Sequence, residues 1–298
     1  MLHARQLRRV VALAVTATLA SSVFIATHAA ESGKGFIWRV ERDGRIGWLV
    51  GSIHVLTPDY YPLPEAMEKA FLRSKTLMEE ADVTQMTSPD VVRLLTTKAI
   101  YTDGETLKTQ LSPETYQMAA ERLARFGLPM ETFEKMRPWM MTLTLVAAEM
   151  KRAGFDAELG VDRHFFDRAT RLGKQFRTLE TLAEQLDVFA GFSPTVQEAM
   201  LRDTLKSLDS EIGQMKTVAD VWQSGDAAVL ERIVLAPMMK EPALYDAMIV
   251  KRNRNWVPKI EDCLAAGHCF VVVGAAHLLG PDGLLAALRA KGYAVQQE

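Results

Sequence analysis

The chain has little that would set it apart from ordinary globular proteins. Its 298 residues include only 2 cysteines, 18 glycines and 12 prolines, which excludes a disulfide-dense miniature scaffold and a collagen-like repeat. A hydrophobic fraction of 48% excludes a disordered polypeptide. The 35 Lys and Arg residues against 37 Asp and Glu leave a net charge of −2, so no basic surface for nucleic acid is predicted. The length predicts one large domain or two small ones.

Apolar runs long enough to cross a bilayer are absent after the first thirty residues. Those thirty residues contain three arginines and no acid before an apolar run from Val10 to about Ala26, and they end in small residues. This pattern predicts a secretory signal peptide, residues 1–29, cleaved after Ala29; the rival interpretation is an uncleaved membrane anchor. Loss of the first thirty residues leaves 32 basic and 37 acidic residues, a net charge of −5. The mature protein is predicted to be periplasmic or secreted, with no stable membrane span.

Four common catalytic motifs are also absent. The chain contains no His-Glu-x-x-His, no Gly-x-Ser-x-Gly, no P-loop and no Rossmann fingerprint. Their absence disfavours the common zinc proteases, the α/β-hydrolases, the nucleotide triphosphatases and the dehydrogenases.

The two cysteines lie close together in the chain. Cys263 and Cys269 flank a predicted helix end at Gly267, and in an oxidising compartment they would close a small local disulfide. Two buried, inert thiols are the alternative. His268 between them suggests a metal site, but no second pair of ligands accompanies it.

The apolar patterns predict an α/β (α+β) fold with a central mixed sheet. Strands are expected at residues 36–41, 46–51, 76–80, 175–179, 269–274 and 293–295. Helices are expected from Pro64 onwards and at residues 89–100, 112–126, 131–153, 158–172, 181–190, 194–215 and 239–266, with a bend or break at Pro138. We expect a single domain over residues 30–298, with a helix-rich insertion over about 85–260.

One ten-residue segment occurs twice. Residues 50–59 and 273–282 are identical at six positions, and each copy has the pattern Gly-x-x-His where a predicted strand ends, at His54 and His277. The carboxyl ends of strands in an open α/β sheet are where ligands bind. Two imidazoles there would form half of a metal site; the alternative is that each histidine ties a strand end to its loop by hydrogen bonds.

Acidic residues follow two further predicted strands. Glu79, Glu80 and Asp82 end one strand and Glu180 ends another, and any of them would serve as metal ligand or general base. An exposed acidic strand end is the alternative.

Arg252 and Asn253 lie in a long predicted helix, where the arginine would hold a substrate carboxylate and the asparagine would stabilise an oxyanion. A solvated helix face is the other interpretation.

These segments together resemble the TraB/GumN family (the TraB–PrgY–GumN group) and, more distantly, the animal TIKI proteins. The likeness extends from about residue 36 to the C-terminus. It is carried by Leu49-Val50-Gly51-Ser52-Ile53-His54-Val55-Leu56, Pro62-Leu63-Pro64, Glu80-Ala81-Asp82, Gly160-Val161-Asp162, Leu179-Glu180-Thr181, Glu184-Gln185, Arg252-Asn253, Val272-Val273-Gly274-Ala275-Ala276-His277-Leu278-Leu279-Gly280 and Gly292-Tyr293.

The resemblance implies a metal-dependent protease that uses Mn or Co. It implies that His54 and His277 are the metal pair and Glu80 the matching acid, while Glu180 and Arg252-Asn253 match further family positions. It also implies a core similar in fold to erythromycin esterase and the ChaN haem-binding proteins.

The leading hypothesis is therefore an exported metal-dependent hydrolase, most simply a peptidase, acting on a peptide or small molecule. Mn, Co or Zn would be bound by His54, His277 and Glu80, with Arg252, Asn253 and Glu180 as further catalytic candidates. The alternative is a non-catalytic periplasmic binding protein for peptide, haem or metal. A structural role in the cell envelope is a third hypothesis.

Overall fold

The computed structural model describes residues 35–298, and the predicted signal peptide lies outside them. Within this part of the chain, six strands form one mixed sheet. They are β1 (Ile37–Arg42), β2 (Arg45–Ser52), β3 (Thr76–Glu79), β4 (Gln175–Thr178), β5 (Cys269–Gly274) and β6 (Ala294–Gln297). The order is β4-β3-β5-β2-β1-β6, in which β4, β3, β5 and β2 are parallel and β1 pairs antiparallel with β2 and β6. The predicted α/β fold with a mixed sheet is confirmed.

The register of the parallel strands brings their carboxyl ends together. Ser52 of β2 pairs with Gly274 of β5, and Glu79 of β3 pairs with Val272, two residues earlier in β5. The apolar run of β5 is buried on both faces, because helices cover the sheet on each side. Residues that follow β2, β3 and β5 therefore meet at one edge of the sheet.

Helices make up most of the rest of the described chain. They are α1 (Glu65–Arg73), α2 (Pro89–Ala99), α3 (Leu107–Gln110), α4 (Pro113–Ala124), α5 (Pro138–Arg152), α6 (Val161–Arg171), α7 (Leu182–Ala190), α8 (Pro194–Ser224), α9 (Ala227–Leu230), α10 (Ala236–Met238), α11 (Pro242–Tyr245), α12 (Lys251–Ala266) and α13 (Leu284–Ala290). Two π-helical turns, Glu231–Leu235 and Asp246–Val250, precede α10 and α12.

Helix ends follow the local chemistry of the sequence. The serine of each Ser-Pro pair, at Ser88, Ser112 and Ser193, accepts a hydrogen bond from a backbone N–H in the first turn, and the proline occupies the first helical position. Pro138 begins α5 instead of bending a longer helix, because a proline at the first position gives up no helical hydrogen bond. Helix α8 continues nine residues beyond its predicted end, to Ser224.

The sheet carries the main hydrophobic core on both faces. On one face Phe71 of α1 and Phe165 of α6 pack against Phe270 of β5, with ring centroids 5.4 and 4.8 Å away. On the other face Leu264 of α12 lies directly over Gly47 of β2, where a Cβ atom would collide with it. Separate apolar clusters hold α4, α5 and α8 together, and α2 with α7.

Cys263 and Cys269 form a disulfide with a Cα–Cα distance of 5.7 Å. It joins the last turn of α12 to the first residue of β5, which decides between the two alternatives left open by the sequence. Because the two sulfurs are bonded to each other, they are not thiolate ligands of a metal site with His268. Among residues 35–298, no helix combines the length and the apolar composition needed to cross a membrane.

Candidate functional site

His54, Glu80 and His277 meet at the carboxyl edge of the sheet, one to three residues beyond the ends of their strands. Nε2 of His54 and Nε2 of His277 both lie 4.0 Å from Oε1 of Glu80. The same Oε1 accepts a hydrogen bond of 2.7 Å from the backbone N–H of Gly274. A Cβ at Gly274 would stand 3.2 Å from Nε2 of His54 and 3.3 Å from Oε1 of Glu80, so glycine leaves the space in which these groups converge.

Helix α6 positions His54. The backbone N–H of Val161, at the start of α6, bonds to the carbonyl of Ile53, and Gly160 packs closely against the carbonyl of His54. One residue further on, Oδ1 of Asp162 lies 3.2 Å from Nδ1 of His54. The histidine side chain keeps 57% of its area exposed, which makes it the accessible member of the three.

The carboxylates around His54 set its charge. Desolvation acts to lower the pKa of His54, but the charge and hydrogen bond of Asp162, together with the charge of Glu80, outweigh it and raise that pKa to about 9. His54 is therefore a cation at neutral pH in the arrangement described, with its Nδ1–H donated to Asp162.

Arg252 lies at the centre of the buried part of the site. It donates from Nη2 to Oε2 of Glu80 at 2.6 Å, and from Nε and Nη2 to both carboxylate oxygens of Glu180 at 3.1 and 2.6 Å. Nη1 donates to Nε2 of His277 at 3.0 Å and to the carbonyl of Met248 at 3.4 Å. All of its N–H groups therefore have partners within the protein.

The arginine also determines the tautomer of His277. A guanidinium only donates hydrogen bonds, so Nε2 of His277 must accept and the ring proton must reside on Nδ1. Nδ1 in turn donates to Oδ1 of Asn253 at 2.8 Å. The amide nitrogen of Asn253 donates to the backbone carbonyls of His277 and Asp282 at 3.0 and 2.8 Å. Desolvation, with the charges of Arg252 and His54, lowers the pKa of His277 to about 3 against the opposing charge of Glu80.

Trp256, one helical turn after Arg252, completes this buried group. Its ring centroid is 4.4 Å from that of His277 and 4.5 Å from the guanidinium carbon of Arg252. Its Nε1 donates to Oε2 of Glu180 at 3.2 Å. Both oxygens of Glu180 are thus engaged, although desolvation raises the pKa of this carboxyl.

Glu80 is held as a carboxylate. Its burial would raise its pKa, but the neighbouring imidazole of His277, the charges of Arg252 and His54 and the N–H of Gly274 lower that pKa to about 2. Gln185 on α7 also donates to Oε2 at 3.3 Å.

The other two acidic candidates of this segment lie elsewhere. Glu79 is on the opposite side of β3 from Glu80 and is buried, and its Oε1 has no hydrogen-bond partner. Burial, with the nearby charges of Asp162 and Glu80, raises the pKa of Glu79 well above its usual value. Asp82 accepts from the N–H of Thr84 and caps a 3₁₀ turn.

Three residues that contact the site, Asp162, Gln185 and Trp256, were not among the site residues predicted from the sequence. Asp162 and Gln185 stand in segments that carry the family resemblance, but nothing local assigns them to His54 and Glu80. Trp256 was detectable, because a residue four positions after Arg252 lies on the same face of a helix.

The site contains the types of donor atom that bind divalent metal ions, two imidazole nitrogens and a carboxylate oxygen. Nε2 of His54, Nε2 of His277 and Oε1 of Glu80 face one another, and each imidazole is held at Nδ1 by an acceptor, as metal-binding histidines are. The 4.0 Å separations exceed the roughly 3.4 Å between tetrahedral ligands with bonds of about 2.1 Å. Within residues 35–298, no three His, Cys, Asp or Glu side chains are already arranged as ligands of one ion. The contact that opposes binding is that of Arg252 with His277.

Comparisons with curated proteins find relatives along most of the chain. It is 27% identical over 241 residues to "Uncharacterized protein YbaP" of Escherichia coli (strain K12), covering 81% of this chain and 87% of that protein. It is 25% identical to "Metalloprotease TIKI2" of Danio rerio and 23% identical to "Metalloprotease TIKI1" of Homo sapiens, each covering 88% of this chain and 60 and 61% of those proteins.

A search of solved structures finds no match, so the expected likeness to erythromycin esterase and ChaN stays a prediction. The model of the TraB/PrgY/gumN family matches residues 36–297, which is nearly all of the part that the structure describes. The chain therefore belongs to the TraB/PrgY/gumN family.

Proposed function

We propose that this protein is an exported, metal-dependent hydrolase that cleaves peptides. The observation that carries the proposal is the convergence of His54 and His277 on Oε1 of Glu80, with each Nδ1 held by an acceptor. These three side chains would hold Mn, Co or Zn. When bound, the ion would supply Lewis acidity that polarises a scissile carbonyl and makes a water molecule a stronger nucleophile.

The surrounding residues hold this arrangement. Arg252 and Asn253 have internal partners for their polar groups, so we assign them to positioning Glu80 and His277 instead of contacting substrate. Glu180 anchors Arg252. His54, the exposed member, would face the substrate.

Two further findings support the proposal. Relatives at 23 and 25% identity carry the printed name metalloprotease, which favours peptide hydrolysis over other hydrolytic reactions. The disulfide between Cys263 and Cys269 is of a kind that persists in oxidising compartments, which supports export by the predicted signal peptide of residues 1–29.

The test is metal analysis of the protein purified without chelator, followed by a peptidase screen with the metal found. The wild type is compared with His54→Ala/His277→Ala, and with His164→Ala as a control at a histidine that contacts Glu68 instead of the site. We expect near-stoichiometric metal and peptide cleavage in the wild type and the control, and neither in the double variant. No metal in any of them after reconstitution would refute the metal site.

Binding without turnover is the alternative, and the same experiment distinguishes it. A metal, peptide or haem retained on purification, with no product from any peptide, would favour a binding protein. Haem would be evident from a Soret band.

A further inference from the structure

The guanidinium of Arg252 contacts two of the three side chains that would bind a metal ion: His277 at the nitrogen that would bind the ion, and Glu80 at the oxygen other than Oε1. It donates to Nε2 of His277 at 3.0 Å and to Oε2 of Glu80 at 2.6 Å. Arginine keeps its proton at any physiological pH, so this nitrogen of His277 accepts a hydrogen bond for as long as the contact lasts. The same lone pair is then unavailable to a metal.

The charges of the buried side chains also oppose metal binding while Arg252 keeps its contacts. Glu80 and Glu180 are buried carboxylates, and His277 is neutral while its Nε2 accepts a hydrogen bond from Arg252. Arg252 is the cation in contact with both acids, and buried charges are stable only when paired. A divalent ion placed on Glu80 while Arg252 kept its contacts would set two cations against each other in a buried space.

Glu180 gives Arg252 a second partner for its charge. Glu180 accepts two hydrogen bonds from the guanidinium, and the ring of Trp256 stacks on it at 4.5 Å. Neither contact involves Glu80 or His277. If the guanidinium turned away from Glu80 and His277, Glu180 would therefore remain as a carboxylate partner for its charge.

We propose that Arg252 competes with the metal ion for Nε2 of His277, so that the site has two arrangements, one in which the arginine bonds to this nitrogen and one in which the metal does. This inference rests on the proposed function. It makes metal binding dependent on the withdrawal of one side chain.

The test is a titration with Co²⁺ against a competing chelator dye, performed on the whole mature chain. We compare the wild type with Arg252→Met, with His277→Ala, with Arg252→Met/His277→Ala and with Arg254→Met, an exposed arginine of the same helix. We expect Arg252→Met to bind Co²⁺ more tightly by about tenfold or more, because Nε2 of His277 is released and a neighbouring cation is removed. Arg254→Met should match the wild type.

The double variant separates two causes. If Arg252→Met gains affinity because His277 is released, most of the gain should be lost when His277 is absent, that is, when Arg252→Met/His277→Ala is compared with His277→Ala alone. If the full gain persists in that comparison, it comes only from unbalanced carboxylate charge, and the competition for His277 is refuted.

The remaining outcomes distinguish this inference from the proposed function. Stoichiometric Co²⁺ in the wild type with equal or weaker binding by Arg252→Met would overturn the competition and leave the metal site intact. Absence of binding in every variant, with Mn²⁺ and Zn²⁺ as well, would overturn both.

A measurement on the wild type covers the case in which Arg252→Met does not fold. Nitrogen-15 spectra should show His277 as the Nδ1–H tautomer before metal is added, with Nε2 accepting a hydrogen bond. Saturating Zn²⁺ should move the Nε2 resonance of His277 to that of a metal-bound nitrogen. An unchanged Nε2 resonance with Zn²⁺ bound elsewhere would overturn the inference.

Discussion

The indole Nε1 of Trp222 donates a hydrogen bond of 2.6 Å to the backbone carbonyl of Gly51, a residue 171 positions away. Trp222 lies in the last turn of the 31-residue helix α8, and Gly51 begins the segment that ends in His54. The bond is buried, so the long helix is attached directly to the strand end that supports the site. We expect this bond to be a main source of stability there.

Replacing Trp222 by Phe should lower the free energy of unfolding by about 2–4 kcal/mol. The change leaves the carbonyl of Gly51 buried without a partner and removes part of a fully buried side chain. Urea unfolding followed by circular dichroism measures the loss. Tyr60→Phe is the control, because its hydroxyl bonds to the half-exposed Asp220 on the same helix and its removal should cost only about 1 kcal/mol. Equal losses in the two variants would contradict this role of Trp222.

Asn253→Asp should destabilise the protein by about 2–4 kcal/mol at neutral pH. A carboxylate still accepts from Nδ1 of His277, but it cannot donate to the carbonyls of His277 and Asp282, which would then face a negative charge. Asn255→Asp, at an exposed position of the same helix, should change stability by less than about 0.5 kcal/mol. Thermal and urea unfolding of both variants would measure the change in stability. A small effect of Asn253→Asp would show that the bonds of Asn253 to these carbonyls contribute little to the free energy of unfolding.

Glu79 and Glu80 should give opposite pH dependences of stability. The pKa of Glu79 is raised on folding, so the folded state binds more protons and stability falls as pH rises above its ordinary pKa. Glu79→Gln cannot ionise, so its stability relative to the wild type should increase from about pH 4.5 upwards. Unfolding by urea at a series of pH values measures the difference.

Glu80→Gln is the matched variant for that experiment. The pKa of Glu80 is lowered to about 2, so its carboxylate stabilises the fold fully above its ordinary pKa, and this stabilisation is lost as pH falls towards 2. Glu80→Gln should therefore be less stable than the wild type at pH 7, and the difference should shrink below pH 4.5. The same pH trend in both variants would show that the two adjacent carboxyls do not differ in environment as described.

Asp162→Asn should lower the pKa of His54 from about 9 towards its ordinary value of 6.5, because the charge that raises it is removed. The imidazole Cε1 proton of His54 reports this pKa in an NMR titration of the metal-free protein. His164, which contacts Glu68 instead, is an internal control whose titration should not move. An unchanged pKa of His54 would mean that Asp162 does not contact it in solution.

Metal affinity should rise with pH until His54 has lost its proton. Since metal binding requires a neutral imidazole and the pKa of His54 is raised to about 9, the apparent affinity should increase by about tenfold per pH unit between about pH 7 and 9. Zn²⁺ or Co²⁺ titrations at several pH values, corrected for metal hydrolysis and buffer binding, measure this slope. A flat profile would exclude His54 as a ligand of the bound ion.

Local chemistry made much of the fold predictable. The run from Cys269 to Val273 is apolar throughout, which predicted a strand buried on both faces, and the Ser-Pro pairs at Ser88 and Ser112 predicted helix starts. The π-helical turn before α12 was not predictable, since its apolar pattern continues that of the helix.

The site was predictable only in part. His54 and His277 could be placed at one edge of the sheet because both follow strands, and strand ends of a parallel sheet share an edge. The separation of Glu79 from Glu80 was not assigned, although consecutive strand residues face opposite sides, because the helices that cover each side are known only from packing.

The sequence alone determined which residue types were present at each strand end and which elements would bring them near one another, since periodicity and capping are local properties. Tertiary structure decided which side chains contact which. Arg252 contacts Glu80, 172 residues away in the sequence, and His277, 25 residues away. These contacts use the N–H groups of Arg252 that the sequence had assigned to a substrate carboxylate. Donors and acceptors buried together must satisfy one another, and only the packed fold determines which are buried together.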